Sequence, residues 1–286
     1  MEFPFRHAMC NEAWGDLPLA DVCRRLRQIG YEGIEIAPFT LAERPADIPA
    51  HRRRSIREAI HGEGLKFAGL HWLLVSPAGL HVTTAEAAIR ERSWRHVDDL
   101  IDLCADLGDG GVMVFGSPKQ RETGSRQSSA EAVKRFTAGL AGVAPHAEAR
   151  GVTILVEALP SNQCDVITRL AQAVAVVDEI ANPAVKTMFD THNAVDETEA
   201  HADLIARYFP YIRHVHVNEV DGGHPGTGDY DFATVFDALR RLGYAGWVSL
   251  EAFDFRPGGE AIARESLQHL RRAETAVTAH ERRGKC

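Results

Sequence analysis

A chain of 286 residues, 45% hydrophobic and 25% charged, has the make-up of a soluble globular protein with apolar material for a sizeable core. Its formal net charge of −8 disfavours nucleic acid as a partner, and no window approaches the roughly 18 apolar residues that a membrane span needs. The five cysteines are odd in number and lack Cys-x-x-Cys spacing, which argues against a disulfide framework or a zinc ribbon; with no signal-peptide pattern from Met1 to His7, a reducing cytoplasm is the expected location.

In chain order, candidate strands fall near 5–10, 33–37, 66–72, 111–116, 152–158, 185–190, 212–218 and 246–252. Between them the apolar residues take helical spacing, as in Leu19, Val22, Cys23, Leu26 and Ile29, and again in Val97, Leu100, Ile101, Cys104 and Leu107. Gly30, Gly64, Gly108, Gly151 and Gly243 each precede a strand by a few residues, where a helix should stop. Repeated strand–helix alternation implies parallel strands with right-handed crossovers, and eight such units imply closure into a (β/α)8 TIM barrel. An open doubly wound sheet would carry a Gly-rich fingerprint after its first strand, and Met9-Cys10-Asn11-Glu12-Ala13 offers none. Only the polar stretch 121–129 and a charged tail from about Thr275 interrupt the pattern, so residues 1–286 read as one domain.

Four apolar runs in the second half each finish on a metal-seeking side chain: Glu157, Asp190, His216 and Glu251. The intervals, roughly 25–35 residues, leave room for one helix and its loops each time. Because the carboxyl ends of barrel strands face one mouth, these four residues should converge there. Three carboxylates and one imidazole suit Mn²⁺, with Mg²⁺, Co²⁺ or Zn²⁺ as alternatives, better than a closed structural zinc site. Such an ion would polarise the carbonyl of a hydroxy-ketone and stabilise the enediolate left by deprotonation of the neighbouring C–H, with Glu157 and Glu251 as the bases. Taken singly, a carboxylate at a strand end is more often a helix cap or a salt-bridge partner. A cluster of three buried acids, however, repels itself unless a cation is present.

The segments Glu157-Ala-Leu, Phe189-Asp190-Thr191-His192-Asn193, His214-Val-His216-Val-Asn218-Glu219 and Gly243-Tyr-Ala-Gly-Trp247-Val-Ser-Leu-Glu251 resemble the sugar phosphate isomerase/epimerase superfamily of xylose-isomerase-like TIM barrels. Within it, the D-tagatose 3-epimerase group and hydroxypyruvate isomerase are similar along nearly the whole chain. The resemblance implies that Glu157, Asp190, His216 and Glu251 bind a divalent metal, that the two glutamates exchange a proton on a ketose or keto-polyol, and that the enzyme is a homodimer or homotetramer. It has departures. The epimerases carry a second Glu and an Arg six residues after their first ligand and their ligand His, where this chain has Gln163 and Gly222; His192 follows Asp190 by two rather than three.

Further substrate contacts are expected from His71 and Trp72 at the end of the third strand, where a packed core His is the competing reading. Lys119 and Arg121 after the fourth strand could hold an anionic oxygen, although loop cations are common. His192 and Gln163 complete the set of expected sugar contacts, and His214, on the same strand face as His216 but a layer deeper, suits a buried hydrogen bond. Gly222 to Gly228 reads as a mobile lid leading to a helix cap at Asp231. Cys10 and Cys164 lack an adjacent base for thiolate chemistry. A dehydratase or eliminase acting on a keto-sugar or keto-glycoside is the alternative function. An abasic-site endonuclease-like repair enzyme is remote, because the acidic charge and the Gly116-Ser117 pair at the fourth strand fit it poorly, and a non-catalytic sugar-binding protein would not need two flanking bases.

Overall fold

The computed structural model describes residues 5–124 and 127–284, with side chains to residue 276. Eight parallel strands close into a barrel in sequence order: β1 (Arg6–Cys10), β2 (Gly33–Ile36), β3 (Lys66–Leu70), β4 (Val112–Phe115), β5 (Thr153–Val156), β6 (Val185–Asp190), β7 (Ile212–Val217) and β8 (Trp247–Leu250). Each lies inside the span its sequence pattern predicts. The helices that return the chain are α1 (Leu19–Ile29), α2 (Ala50–Gly62), α3 (Ala87–Leu107), α4 (Ser129–Arg150), α5 (Leu170–Ile180), α6 (His201–Tyr208), α7 (Phe232–Arg241) and α8 (Gly259–Gly284). The fold is therefore the expected (β/α)8 barrel.

Local chemistry sets the helix ends. Ser128 and Glu131 form a reciprocal capping box at the start of α4, and Asp231 accepts from the Thr234 amide at the start of α7. Gly30 and Gly151 close α1 and α4 in the left-handed conformation. Gly108 stops α3 as expected, but from an extended conformation at φ −176° rather than the left-handed one. Its lack of a side chain serves packing, since a Cβ there would come 2.7 Å from Phe67 Cβ. The charged segment after Thr275 is not a tail but the end of α8, which runs to Gly284. Among the described residues no helix is long and apolar enough to cross a membrane.

Strand alternation divides the apolar interior in two. Outward-facing residues such as Met9, Ile34, Ile154, Val215 and Val248 join the helices in one large core. Inward-facing residues fill the barrel in smaller groups, Val112, Val114, Leu155 and Met188 in one and Ala8, Ala68 and Trp247 in another. Trp247 plugs the floor, with the Arg6 guanidinium 4.4 Å from its ring. Gly33 makes room for it, because a Cβ there would approach the indole to 2.8 Å. The polar mouth sits above this filling, and the register Asp190↔His216 places two of its side chains at one height.

Candidate active site

Glu157 and Glu251 directly follow β5 and β8, Asp190 ends β6, and His216 lies on β7. One ligating atom from each of the four falls within 4.8 Å of the others, and all four side chains are buried. His216 Nδ1 is 3.1 Å from Glu251 Oε2 and 3.6 Å from Asp190 Oδ2. Asp190 Oδ1 accepts from the amides of His192 and Asn193 at 2.7 and 2.9 Å, which leaves buried Oδ2 with no hydrogen-bond partner on the cluster side. Glu157 Oε1 accepts from Asn193 Nδ2 at 2.9 Å. Gly116 allows its other oxygen to lie close, since a Cβ at that position would be 2.2 Å from Glu157 Oε2.

A second charged layer lies beneath. Glu35 on β2 is fully buried; its carboxylate is 2.9 Å from His214 Nε2 and 3.1 Å from His216 Nε2. Burial alone would raise the Glu35 pKa, but His216 and His214 hold it well below the usual carboxylate range. An ionised carboxylate only accepts, so His216 Nε2 carries a hydrogen and Nδ1 is the nitrogen turned toward Asp190 and Glu251. His71 joins the layer, its Nδ1 3.7 Å from Glu35 and its Nε2 2.8 Å from Glu12 Oε2.

The electrostatics of the upper layer have a direction. Burial, then Asp190 and Glu251, push the Glu157 carboxyl up to about 8, and burial raises Glu251 as well. For His216, burial works downward, but Glu35 and Glu251 outweigh it and hold the imidazole well above the ordinary value. A divalent cation fits this donor set: it would relieve the mutual repulsion of three buried acids and satisfy the orphaned Asp190 oxygen.

A small, partly open hollow of about 20 Å³ adjoins the cluster, lined by His71, Trp72, Glu157, Gln163, Asn193 and Glu251 among others. His71, Trp72 and Gln163 thus reach the site the sequence assigns them. His192 stands beside it, its Nδ1 2.7 Å from the Val220 carbonyl and its Nε2 3.0 Å from Gln163 Nε2. Lys119 does not reach it; it is exposed on the short turn Pro118–Gln120 and lines no part of the cavity. Arg121 is not a loop cation. It is fully buried and donates to the carbonyls of Phe115 at 3.0 Å and Glu157 at 2.7 Å, clamping the ends of β4 and β5. His214 takes the deeper hydrogen-bonded position expected of it.

The glycine-rich segment is pinned rather than loose: buried Glu219 accepts from the amides of Gly226 and Tyr230 at 2.8 and 3.0 Å. Burial pushes the Cys10 thiol up to about 11, and Cys164 points at the carbonyls of Pro118 and Val166, so neither is set up as a nucleophile. Glu12 and Glu35 went unrecognised in the sequence. The available signal at Glu35 was a carboxylate within Gly33-Ile34-Glu35-Ile36, a strand whose other residues leave it no wet face.

The model of the xylose isomerase-like TIM barrel family matches residues 23–273. The chain is 29% identical over 212 residues to an L-ribulose 3-epimerase from Mesorhizobium japonicum, covering 72% of this chain and 70% of that one. It is 27% identical over 176 residues to a ketose 3-epimerase from Arthrobacter globiformis, covering 60% of this chain and 59% of that one. Its backbone matches a solved L-ribulose 3-epimerase with a TM-score of 0.83 at 22% identity, covering 99% of this chain and 98% of that one. For a 3-keto-D-glucoside 4-epimerase from E. coli the score is 0.81 at 20% identity, covering 93% and 99%. Identities that low speak for the fold alone, but the family match spans most of the sequence. The chain belongs to the xylose isomerase-like TIM barrel family.

Proposed function

We propose that this chain is a divalent-metal-dependent sugar isomerase or epimerase that moves a proton on a carbon next to the carbonyl of a ketose or keto-polyol. The observation that carries the reading is the pair of buried carboxylates, Glu157 and Glu251, which flank one cavity and converge with Asp190 and His216 to within 4.8 Å. Glu157, Asp190, His216 and Glu251 would hold the ion, Mn²⁺ before Mg²⁺, Co²⁺ or Zn²⁺. When bound, it would polarise the carbonyl and stabilise the negative charge left by deprotonation. One glutamate takes the proton from carbon and the other returns one to the opposite face. Because the proton returned is not the one removed, the glutamates exchange with solvent between turnovers. Gln163 and His192, already in contact at 3.0 Å, supply hydrogen bonds for a substrate hydroxyl, and Trp72 offers an aromatic face to the sugar ring. The epimerase names of the similar proteins support the same chemistry.

Elimination is the second reading, and one feature favours it: His71 is backed by Glu12 at 2.8 Å, lines the cavity and has a ring nitrogen within 4.8 Å of a Glu251 oxygen. An imidazole so placed could protonate a β-leaving group after the same C–H deprotonation. Product mass separates the two, unchanged for isomerisation and reduced for elimination. The direct test incubates the Mn²⁺-loaded protein with ketoses and keto-glycosides in D₂O and follows the products by NMR. Deuterium at C1 indicates aldose–ketose exchange, and at a ring carbon beside the carbonyl, epimerisation. Glu251→Gln should abolish incorporation while leaving the ion partly bound in a calorimetric titration. Turnover that survives this substitution, or no incorporation with any substrate of the panel, overturns the proposal.

A further inference from the structure

The mouth holds a second group of donors, carried largely by strands of the other half of the barrel. Cys10 ends β1, Glu12 follows it by two residues, His71 directly follows β3, and Glu251 directly follows β8, which closure of the barrel sets beside β1. One ligating atom from each of the four lies within 4.8 Å of the others, the same convergence that marks the first group, and Glu251 belongs to both. The segment that carries Cys10 and Glu12 is fixed by Asn11 between them. Its amide donates to the Glu35 carbonyl at 3.0 Å, its Oδ1 accepts from the Ala37 amide at 2.7 Å, and its Nδ2 donates to Thr40 Oγ1 at 2.9 Å. These bonds tie the end of β1 to the end of β2 and hold the donors in place before any ion arrives.

Two orphaned atoms point to a ligand. Glu12, its side chain 7% exposed, offers Oε2 to His71 Nε2 at 2.8 Å, but its other oxygen is buried with no hydrogen-bond partner. His71, 1% exposed, likewise leaves Nδ1 buried without a partner. Such atoms forfeit their hydration with nothing in return, and a cation is one partner that a carboxylate oxygen and an imidazole nitrogen share. Charge points the same way. One divalent ion offsets two of the charges on Glu12, Glu35, Glu157, Asp190 and Glu251, and the remainder falls to protonated imidazoles or to another cation.

The donor set differs in kind from the first. Sulfur and imidazole with two carboxylates suit a borderline-soft ion, whereas three carboxylates and one imidazole suit a harder one. With bonds of about 2.0–2.3 Å, tetrahedral zinc sets its ligand atoms about 3.3–3.6 Å apart. His71 Nε2 and Glu12 Oε2 would part slightly from 2.8 Å to admit it, and the other pairs, at 4.8 Å or less, need only side-chain adjustment. The remaining grouping that contains the thiol, Cys10 with Glu35 and His216, offers three donors rather than four, and its Glu35 is already shared by His214 and His216.

We propose that Cys10, Glu12, His71 and Glu251 form a second cation site that takes zinc, with Glu251 bridging to the ion of the first. On binding, sulfur bonds the metal and the thiol proton leaves to solvent, with any proton on the coordinating nitrogen of His71. An ion so held would occupy His71 and withdraw it as the acid that an elimination needs. The site stands apart from the proton-transfer reading, which calls on the first ion alone.

Metal counting and cobalt spectroscopy test it. The EDTA-stripped protein, equilibrated with Co²⁺ as a coloured stand-in for zinc and then dialysed, should retain two ions per chain by plasma mass spectrometry and show the near-ultraviolet absorption of thiolate-to-cobalt charge transfer. Cys10→Ser should lose that absorption and retain one ion. Should Cys10→Ser fail to fold in a thermal melt, Glu12→Gln takes its place: it keeps the shape and the thiol, and should lower both the absorption and the second equivalent at the same free Co²⁺. Bound cobalt without the absorption, whether one ion or two, overturns the inference, as does an absorption that survives Cys10→Ser or is undiminished in Glu12→Gln. One ion with an absorption that neither Glu157→Gln nor Asp190→Asn disturbs supports this site and instead sinks the first.

Discussion

Glu35 is 0% exposed, yet it is the charge on which the histidines of the mouth are hung, and it lies within 3.7 Å of three imidazoles. Its bond to His216 Nε2 settles which nitrogen faces Asp190 and Glu251, an outer carboxylate fixing the tautomer and orientation of a would-be ligand. Glu35→Gln keeps the shape and removes the charge. It should weaken Mn²⁺ binding by roughly 10–100-fold in calorimetric titration, with the folded state intact by circular dichroism. Unchanged affinity would mean that His216 is oriented by its own strand alone. The lower layer also explains why burial of so many acids is tolerated at all. Glu35 is balanced by His216 and accepts a hydrogen bond from His214, whose pKa burial lowers, and Glu12 is balanced by His71, which its neighbours Cys10 and Glu12 hold well above the ordinary histidine value against the pull of burial.

At the level of elements, the ends of β4 and β5 depend on one side chain. Arg121 sends its guanidinium into the protein to reach the last carbonyl of β4, on Phe115, and the carbonyl of Glu157 just beyond β5. Arg121→Met fills similar volume but removes the side-chain donor from both carbonyls, leaving Phe115 only the long 3.4 Å bond from the Glu157 amide, so urea denaturation should report a loss of about 2 kcal/mol, the lost bonds offset in part by relief of a buried charge. A variant as stable as the parent would show that water replaces the clamp. Nothing around Arg121 in the sequence announces this role, because its acceptors are main-chain atoms that any residue would supply. The same reason separates what could be read from what could not. The eight strands show in short apolar runs, and Glu157, Asp190, His216 and Glu251 show because each closes such a run. Glu35 meets its histidines only across 179 and 181 residues of chain, through barrel closure that pairs β1 with β8. Gly108 ends α3 as its place before a strand implies, but its extended backbone and the continuation of α8 past Thr275 do not show in the sequence, because local pattern does not register a packing contact with Phe67 or the continuation of a charged helix.

Across the whole molecule, the buried acids at the mouth lower stability, and the effect has a sign in pH. Glu157 is held up to about 8 by burial and by Asp190 and Glu251, while the unfolded carboxyl keeps its ordinary value near 4.5. Below about 4.5 both states carry the proton and nothing is lost; as pH rises toward about 8 only the unfolded chain releases it, so the folded state is increasingly penalised. Glu157→Gln removes that penalty. The metal-free variant should therefore melt higher than the metal-free parent, by a margin that is absent at pH 4 and widens up to pH 8. A divalent ion should reverse the order, because an anionic carboxylate holds it more tightly than a neutral amide. At a free concentration a hundredfold above its dissociation constant it should add about 2.7 kcal/mol to the parent, a rise of several degrees in a single cooperative transition, and EDTA should undo it. Calorimetric scans of both proteins at pH 4, 6 and 8, with EDTA and with Mn²⁺, give the whole comparison. If the variant gains as much from Mn²⁺ as the parent, Glu157 is not a ligand; if its metal-free advantage does not grow with pH, the acids at the mouth are not held in one another's field.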